Sequence, residues 1–456
     1  MSATGYMILG LVIGLAALIV LVLFTKVHAV LAIIVASVIC GLIGQMGFPR
    51  TMAAIVNGFG STIGGIGLII AFGIMMGAIF EMSGAAKRMA QTFLNLFGKG
   101  REEWALGATG FVVSIPIFCD SGFIILAPLA KAIAKNSGRS LVTCGVALAG
   151  GLVITHHLVP PTPGPIASAN NFGVDLGTMV AWALPLAAVT FLPMIAYAKY
   201  IGTKVFIKED GTEATGVGEA WKDAKEEDMP SAFLSFAPIV VPIVLILYGT
   251  FTNAIVGSAA VAEAQKAGNL YYNFVGGISH PVVAVGIGLL LAIYTLTGRF
   301  SVREVVDAQD KSLTAAGVIL LVTGAGGALG MVLRDSGAAK AVADTIATWP
   351  LPTVILPILI ATIVRFMQGS GTVAMVTSSA IVGPMAASLG LEPVIGALGC
   401  CAGSFFFGYF NDSYYWVVNR TLGIVDTREQ IRVWSINTTI CWATSCAILI
   451  ILDIIF

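Results

Sequence analysis

Charge is what this sequence has least of. Only 11% of its 456 residues are Asp, Glu, Lys or Arg, while 57% are hydrophobic. Soluble domains carry about 25% charged residues, so an ordinary soluble protein is excluded. Histidine is down to four residues and cysteine to seven. None of the cysteines stands in a zinc-type or CxxC spacing, so they read as small buried hydrophobes that say nothing of function. No GxxxxGK[ST] loop is present, which argues against an ATP-driven pump in this chain alone. No HExxH or nucleophile motif is present, which argues against an intramembrane enzyme. No metal, cofactor or nucleic-acid partner is expected.

What the sequence does have is long apolar runs. About 20 residues span a bilayer, and Tyr6–Phe24, Thr62–Phe80, Gly177–Ala198, Ala232–Phe251, Phe274–Thr297, Ser312–Leu333 and Val433–Phe456 each qualify. The reading is an all-α polytopic membrane protein. No basic residue precedes the first run and no cleavage site follows it, so it is expected to be a helix and not a removed signal. Shorter apolar segments at Ala29–Gly47, Trp104–Ile117, Phe123–Ala134, Leu141–Thr155, Pro350–Val364, Thr372–Ser388 and Pro393–Phe410 bring the count to fourteen.

The fourteen fall into two sets of seven around the polar stretch 199–231. Ser83-Gly-Ala-Ala-Lys87 recurs as Ser336-Gly-Ala-Ala-Lys340 at the end of the third segment of each set, and Ser121-Gly122 aligns with Ser370-Gly371. An odd number of segments per set implies that the second is inverted in the membrane. Alternate threading puts nineteen Lys and Arg on one side and only Arg50, Lys266, Arg334 and Lys340 on the other. By the positive-inside rule both termini then lie outside the cytoplasm. The fourth and fifth segments of each set are short, as in re-entrant hairpins, and paired short segments of inverted repeats point to a transporter's site. The expected organisation is a first repeat at 1–198 (hairpin 104–134, broken helix 141–171), a cytoplasmic connector at 199–231, and a second repeat at 232–456 (hairpin 350–388, broken helix 393–421). That makes ten spans and two hairpins.

Four polar clusters interrupt the apolar surroundings: Pro116–Gly122, Thr155–Pro165, Arg365–Thr372 and Asn411–Ser413. A helix broken at membrane depth leaves backbone groups unpaired, which is tolerated only inside protein or beside a wet cavity. Freed N–H groups at helix starts bind anions. Pro160–Pro165 cannot be helical, so a break there is firmly indicated. Arg365 is the one basic residue left over from the loops, expected to meet either an anionic solute or a carboxylate partner. Asp120 and Asp412 are candidate proton carriers, with capping of broken helix ends as the bland alternative. His156 and His157 are adjacent, so a helix points them apart and at most one is expected to face the site. Glu81 and Asp453, near the ends of apolar runs, read as interfacial.

These clusters resemble those of the gluconate permease family, within the broad ion-transporter superfamily. The resemblance runs over nearly the whole chain and rests on His156-His157-Leu-Val-Pro160-Pro161-Thr162-Pro163-Gly164-Pro165, on Arg365 with Gln368-Gly369-Ser370-Gly371-Thr372-Val373-Ala374, and on Asn411-Asp412. It implies proton-coupled symport of gluconate or related sugar acids in a bacterial inner membrane, by a homodimer with an elevator-like motion. Some members carry D-serine. Two positions depart from the family's pattern: Thr162 stands where gluconate-type members often have His, and Phe118-Cys119-Asp120-Ser121 replaces a stretch that often carries another acid.

The combined expectation is a secondary transporter of a small hydroxylated carboxylate. Its substrate contacts would come from Ser121, Gly122, His157, Thr162, Gly164, Arg365, Gln368, Ser370, Gly371, Thr372 and Asn411, and its coupling protons from Asp120 and Asp412. Sodium coupling, an amino-acid substrate, or an anion channel are the alternatives.

Overall fold

Hydrocarbon offers the backbone no hydrogen bonds, so a chain this apolar must pair its N–H and C=O groups internally. Every regular element among the described residues is accordingly helical. The computed structural model describes residues 3–98, 100–208, 229–338, 341, 352–409 and 412–455, without some helix side chains, those of Ser121 and Gln368 among them. Most of the polar connector, Lys340 and Asn411 lie outside the described residues. Six described helices, or seven with one bent pair, are long and apolar enough to cross a bilayer by themselves. The remaining apolar segments lie in shorter helices.

Two elements are far longer than the apolar runs that announce them. Thr62–Phe80 is the core of a 36-residue helix, Phe48–Ser83, and Ser312–Leu333 the core of a 34-residue one, Val302–Asp335. At 1.5 Å per residue each exceeds a ~30 Å hydrocarbon core. They pack against one another through small residues. A Cβ on Gly58 would come within 2.5 Å of the Gly327 carbonyl oxygen and 2.9 Å of the Ala328 Cα. Where no water drives association, backbones this close supply the dispersion contacts that hold helices together.

The Ser-Gly-Ala part of the recurring segment takes the same turn twice. Ala85 N–H donates to Ser83 Oγ at 3.3 Å, and Ala338 N–H donates to Ser336 Oγ at 3.3 Å. Gly84 and Gly337 follow at φ +78° and +76°, left-handed values that a side chain would strain. Each copy thus ends a long helix by the same turn.

One apolar run is not a single element. Phe274–Thr297 is split at His280 into Leu270–Ser279 and Pro281–Leu296, bent by 65°. Pro281 has no N–H to continue the first helix, so the break follows from the ring. Asp453, read as interfacial, is a cap: it accepts from Val354 N–H at 3.0 Å and from the Thr353 hydroxyl at 3.2 Å, at the start of Ile355–Gln368. The start of Glu102–Val113 is held by charge, with Arg139 Nε 3.3 Å from Glu102 and Lys199 Nζ 3.7 Å from Glu103. All seven cysteines are free and buried.

The helix crossing gives a stability test. Gly58→Ala forces a backbone contact, and overpacking of this kind costs roughly 1–3 kcal/mol. Gly60, two residues on, faces open space, and a Cβ there would meet nothing within 4 Å. Thermal unfolding in detergent is expected to show a lowered midpoint for Gly58→Ala and an unchanged one for Gly60→Ala; equal midpoints would remove the crossing from the structure's supports.

Candidate functional site

The helices stop where the polar clusters lie. Glu102–Val113 and Cys119–Ser137 are separated at 114–118, and Leu141–Leu158 and Pro163–Phe172 at 159–162. Ile355–Gln368 and Gly371–Val382 are separated at 369–370, and Pro393–Gly403 and Ser413–Thr421 at 404–412. Three of these interruptions place a helix start against one cavity of about 420 Å³. That volume is within the roughly 300–1,000 Å³ usual for small-molecule sites. The starts belong to Cys119–Ser137, Gly371–Val382 and Ser413–Thr421, and the end of Leu141–Leu158 closes the wall. A helix start leaves up to four N–H groups without internal partners and carries the positive end of the helix dipole. The Ser370 hydroxyl accepts one of them, from Val373 N–H at 3.3 Å.

Arg365 and Asp412 meet at this cavity as a buried ion pair. Arg365 Nη2 donates to Asp412 Oδ2 at 2.6 Å, and the two side chains are 3% and 8% exposed. Arg365 Nη1 donates to the Gly369 carbonyl, while Nε has no partner. Gly369, at φ +86°, turns the chain so that its carbonyl reaches back to the guanidinium. Asp412 does two things at once, because its Oδ1 accepts Tyr414 N–H at 3.1 Å and caps the last of the three helices. Gly408 lies over the pair: a Cβ there would come 2.9 Å from Asp412 Oδ2 and 3.0 Å from Arg365 Nη2. Ser435 and Thr438 hold Gly408 in place, through Ser435 Oγ to its carbonyl at 2.6 Å and its N–H to Thr438 Oγ1 at 2.9 Å. Ser435 ends a π-helical turn, Ile431–Ser435, of the kind often found beside functional sites.

Asp120 is the second carboxylate of the cavity. It sits half-buried in the first turn of its helix, with Oδ1 accepting from Ser413 Oγ at 3.3 Å and Oδ2 3.7 Å from the Cys119 thiol. The cavity therefore holds two carboxylates and one guanidinium.

The two histidines both line the cavity and both are buried. His157 is engaged: its Nδ1 lies 3.1 Å from Ser404 Oγ and its ring stacks on Phe405 at 4.7 Å. Its outer edge faces Gly371, where a Cβ would come within 2.5 Å of Cε1 and Nε2. His156 packs between Phe118 and His157, at ring-centroid distances of 5.5 and 5.7 Å, and its Nδ1 has no hydrogen-bond partner.

Of the residues singled out in the sequence, Asp120, His157, Arg365, Ser370, Gly371, Thr372 and Asp412 line this cavity. Three do not. Thr162 turns its hydroxyl back to the Val159 carbonyl at 2.7 Å, which uses up its proton. Gly164 presses on the Met375 side chain, and Gly122 on Leu152. The Ser121 and Gln368 side chains and Asn411 lie outside the described residues. Sequence reading missed Tyr414, Val318 and Val322 in the lining, and Ser404 and Gly408 behind it. Ser404 opens the break after Pro393–Gly403, inside a run that reads as apolar through Phe410. Val318 and Val322 carry no signal, since they look like any apolar helix positions.

Comparison with known proteins places this architecture. The family profile described as GntP family permease matches residues 6–455. An uncharacterized permease of Haemophilus influenzae is 44% identical, over 98% of this chain and 92% of its own. The gluconate permease of Pseudomonas aeruginosa is 30% identical over 100% and 99%, and the high-affinity gluconate transporter of Escherichia coli 31% over 96% and 98%. Two solved structures share the fold at low identity: the Alcanivorax borkumensis YdaH transporter (TM-score 0.59, 15% identical, 89% of each chain) and Neisseria gonorrhoeae MtrF (TM-score 0.61, 14% identical, 95% and 96%). A cavity of charged groups and helix starts inside an apolar helical body, matched from end to end by permeases, leaves no place for an enzyme: the chain belongs to the GntP family of permeases, as a multi-pass integral membrane transport protein.

Proposed function

We propose that the protein is a proton-coupled symporter that takes up a small hydroxylated carboxylate, with gluconate the first candidate. The observation that carries this reading is the buried Arg365–Asp412 pair at the meeting of three helix starts. A substrate carboxylate entering the cavity competes with Asp412 for the guanidinium and gains the N–H groups of the Cys119 and Gly371 helix starts. A proton on Asp412 removes the competitor, so proton and anion favour each other's binding, as symport requires. Asp120 adds a second negative charge to the same space, and protonation there lowers the repulsion an incoming anion meets. The relatives named for gluconate support that substrate, and the L-idonate transporter of Escherichia coli, 31% identical, supports the wider class of sugar acids.

The same reading takes the two halves of the chain as inverted repeats, working as a homodimer with both termini outside the cytoplasm and an elevator-like motion. The twice-used Ser-Gly-Ala turn supports the repeats, and the uneven sharing of Lys and Arg supports the orientation; the homodimer and the motion rest on the family resemblance alone.

Uptake of labelled gluconate into proteoliposomes tests the function. An imposed inward proton gradient without sodium is expected to drive accumulation that an uncoupler abolishes. Accumulation that needs sodium, or none of any sugar acid, would overturn it. The ion pair has its own test. Asp412→Asn is expected to keep gluconate–gluconate exchange while losing proton-driven accumulation, because the amide imitates the protonated acid. Arg365→Ala strands Asp412 in the interior at a cost of roughly 3–5 kcal/mol and is expected to lose both. Intact accumulation in Asp412→Asn would remove Asp412 from the coupling.

A further inference from the structure

Hydrogen-bond geometry at Ser404 fixes which nitrogen of His157 the cavity meets. The Ser404 hydroxyl lies 2.6 Å from the Cys401 carbonyl oxygen and 3.1 Å from His157 Nδ1. A carbonyl can only accept, so the shorter contact takes the hydroxyl's single proton. Toward His157 the serine oxygen is then an acceptor, and the ring's Nδ1–H donates to it. In the neutral ring that leaves Nε2 bare, as an acceptor. Ser404 at Nδ1 and Phe405, stacked on the ring at 4.7 Å, together hold its orientation.

This acceptor stands at the cavity without a partner. His157 is 4% exposed and lines the cavity. No described residue hydrogen-bonds to Nε2, and the atom keeps surface open to the cavity. The Nδ1 of neighbouring His156 is also unpaired, but it is sealed and reaches no solute.

The place of Nε2 says which hydroxyl it can meet. A Cβ on Gly371 would come within 2.5 Å of it, so the missing side chain is what leaves that edge of the ring clear. Gly371 is also the first residue of Gly371–Val382, one of the helix starts on the same cavity. A carboxylate bound at that start brings the carbon next to it beside the ring edge. Hydroxyls further along the solute lie further from Nε2. A buried acceptor left without a donor is penalised, so a solute with a hydroxyl at that carbon is favoured over one without.

We propose that His157 is the specificity-determining residue that accepts, through Nε2, the proton of the hydroxyl on the carbon adjacent to the substrate carboxylate. The solute class is then the 2-hydroxycarboxylates. This rests on the transport reading above and deepens it. It also separates His157 from Thr162, whose only proton is committed to the Val159 carbonyl.

The test is equilibrium binding to the purified full-length protein in detergent, with D-gluconate, 2-deoxy-D-gluconate and 3-deoxy-D-gluconate. In the unaltered protein, loss of the 2-hydroxyl is expected to weaken binding about 10-fold, and loss of the 3-hydroxyl far less. His157→Asn keeps an amide where Nδ1 meets Ser404 and has nothing at the place of Nε2. There gluconate is expected to fall to the affinity of the 2-deoxy acid, which itself stays unchanged. His157→Gln carries its amide out to the place of Nε2 and is expected to recover part of the preference. A role in packing alone predicts the reverse, with all three acids weakened equally in His157→Gln and none in His157→Asn. Nitrogen NMR of histidine-labelled protein supplies a second readout, with the His157 signals assigned by their loss in His157→Asn. Nδ1 is expected to be protonated and Nε2 bare, and the Nε2 signal to move with gluconate but not with the 2-deoxy acid. A protonated Nε2, equal binding of gluconate and 2-deoxygluconate to the unaltered protein, a preference that survives His157→Asn, or the packing pattern overturns the assignment while the transport reading stands. Failure to bind any of the three acids overturns the transport reading beneath it.

Discussion

The ion pair between Arg365 and Asp412 is the interaction on which the centre of the protein depends. Both of its side chains are buried inside the apolar body. Charges so buried are expensive to desolvate, and they persist only when geometry and further hydrogen bonds compensate. The compensation is spread over several elements. Gly369 contributes a carbonyl from one turn, the helix beginning at Ser413 contributes an N–H through Tyr414, and Gly408 leaves room for the contact by having no side chain. Ser435 and Thr438, at a π-helical turn in the last helix, hold Gly408 there.

The broken helices make such a centre possible. An unbroken helix satisfies its own backbone and offers nothing to a solute. A break exposes N–H groups at one end and carbonyls at the other, so four breaks create polar surface without importing many polar side chains. This is how a chain with 11% charged residues builds a hydrophilic cavity. The cost falls on the frame, which must be rigid. The long helices Phe48–Ser83 and Val302–Asp335, crossing at Gly58 and Gly327, supply that rigidity through close backbone contact. Val318 and Val322 of the second one also wall the cavity, so the frame touches the site directly.

Much of this was legible in the residues. Charge scarcity and apolar runs indicated a membrane protein, and the prolines indicated a break, although Pro163–Pro165, expected to be non-helical, form the first turn of Pro163–Phe172 and only 159–162 lie outside helices. The repeated Ser-Gly-Ala-Ala segment marked the ends of two long helices. Arg365 stood out because it was the only basic residue without a loop to occupy. The extent of the long helices was less legible, since Arg50 and Arg303 look like loop charges and are in fact helical. The split at His280 was passed over because its flanks are apolar on both sides, although Pro281 announces it.

By itself the sequence determined solvent, class and the places of most polar interruptions, because hydropathy, proline geometry and charge are properties of the chain that need no fold. Which polar residues meet was decided by tertiary structure alone. Asp412 was a candidate for a proton or for a cap, and packing made it the cap and Arg365's partner together. Thr162 and His157 were both candidates for a hydroxyl; Val159 takes the proton of the first, and Ser404 takes only Nδ1 of the second. A hydrogen-bonding group's availability depends on every donor and acceptor within about 3 Å of it, and those neighbours come from parts of the chain as far apart as His157 and Ser404. Spacing along the sequence carries no record of them.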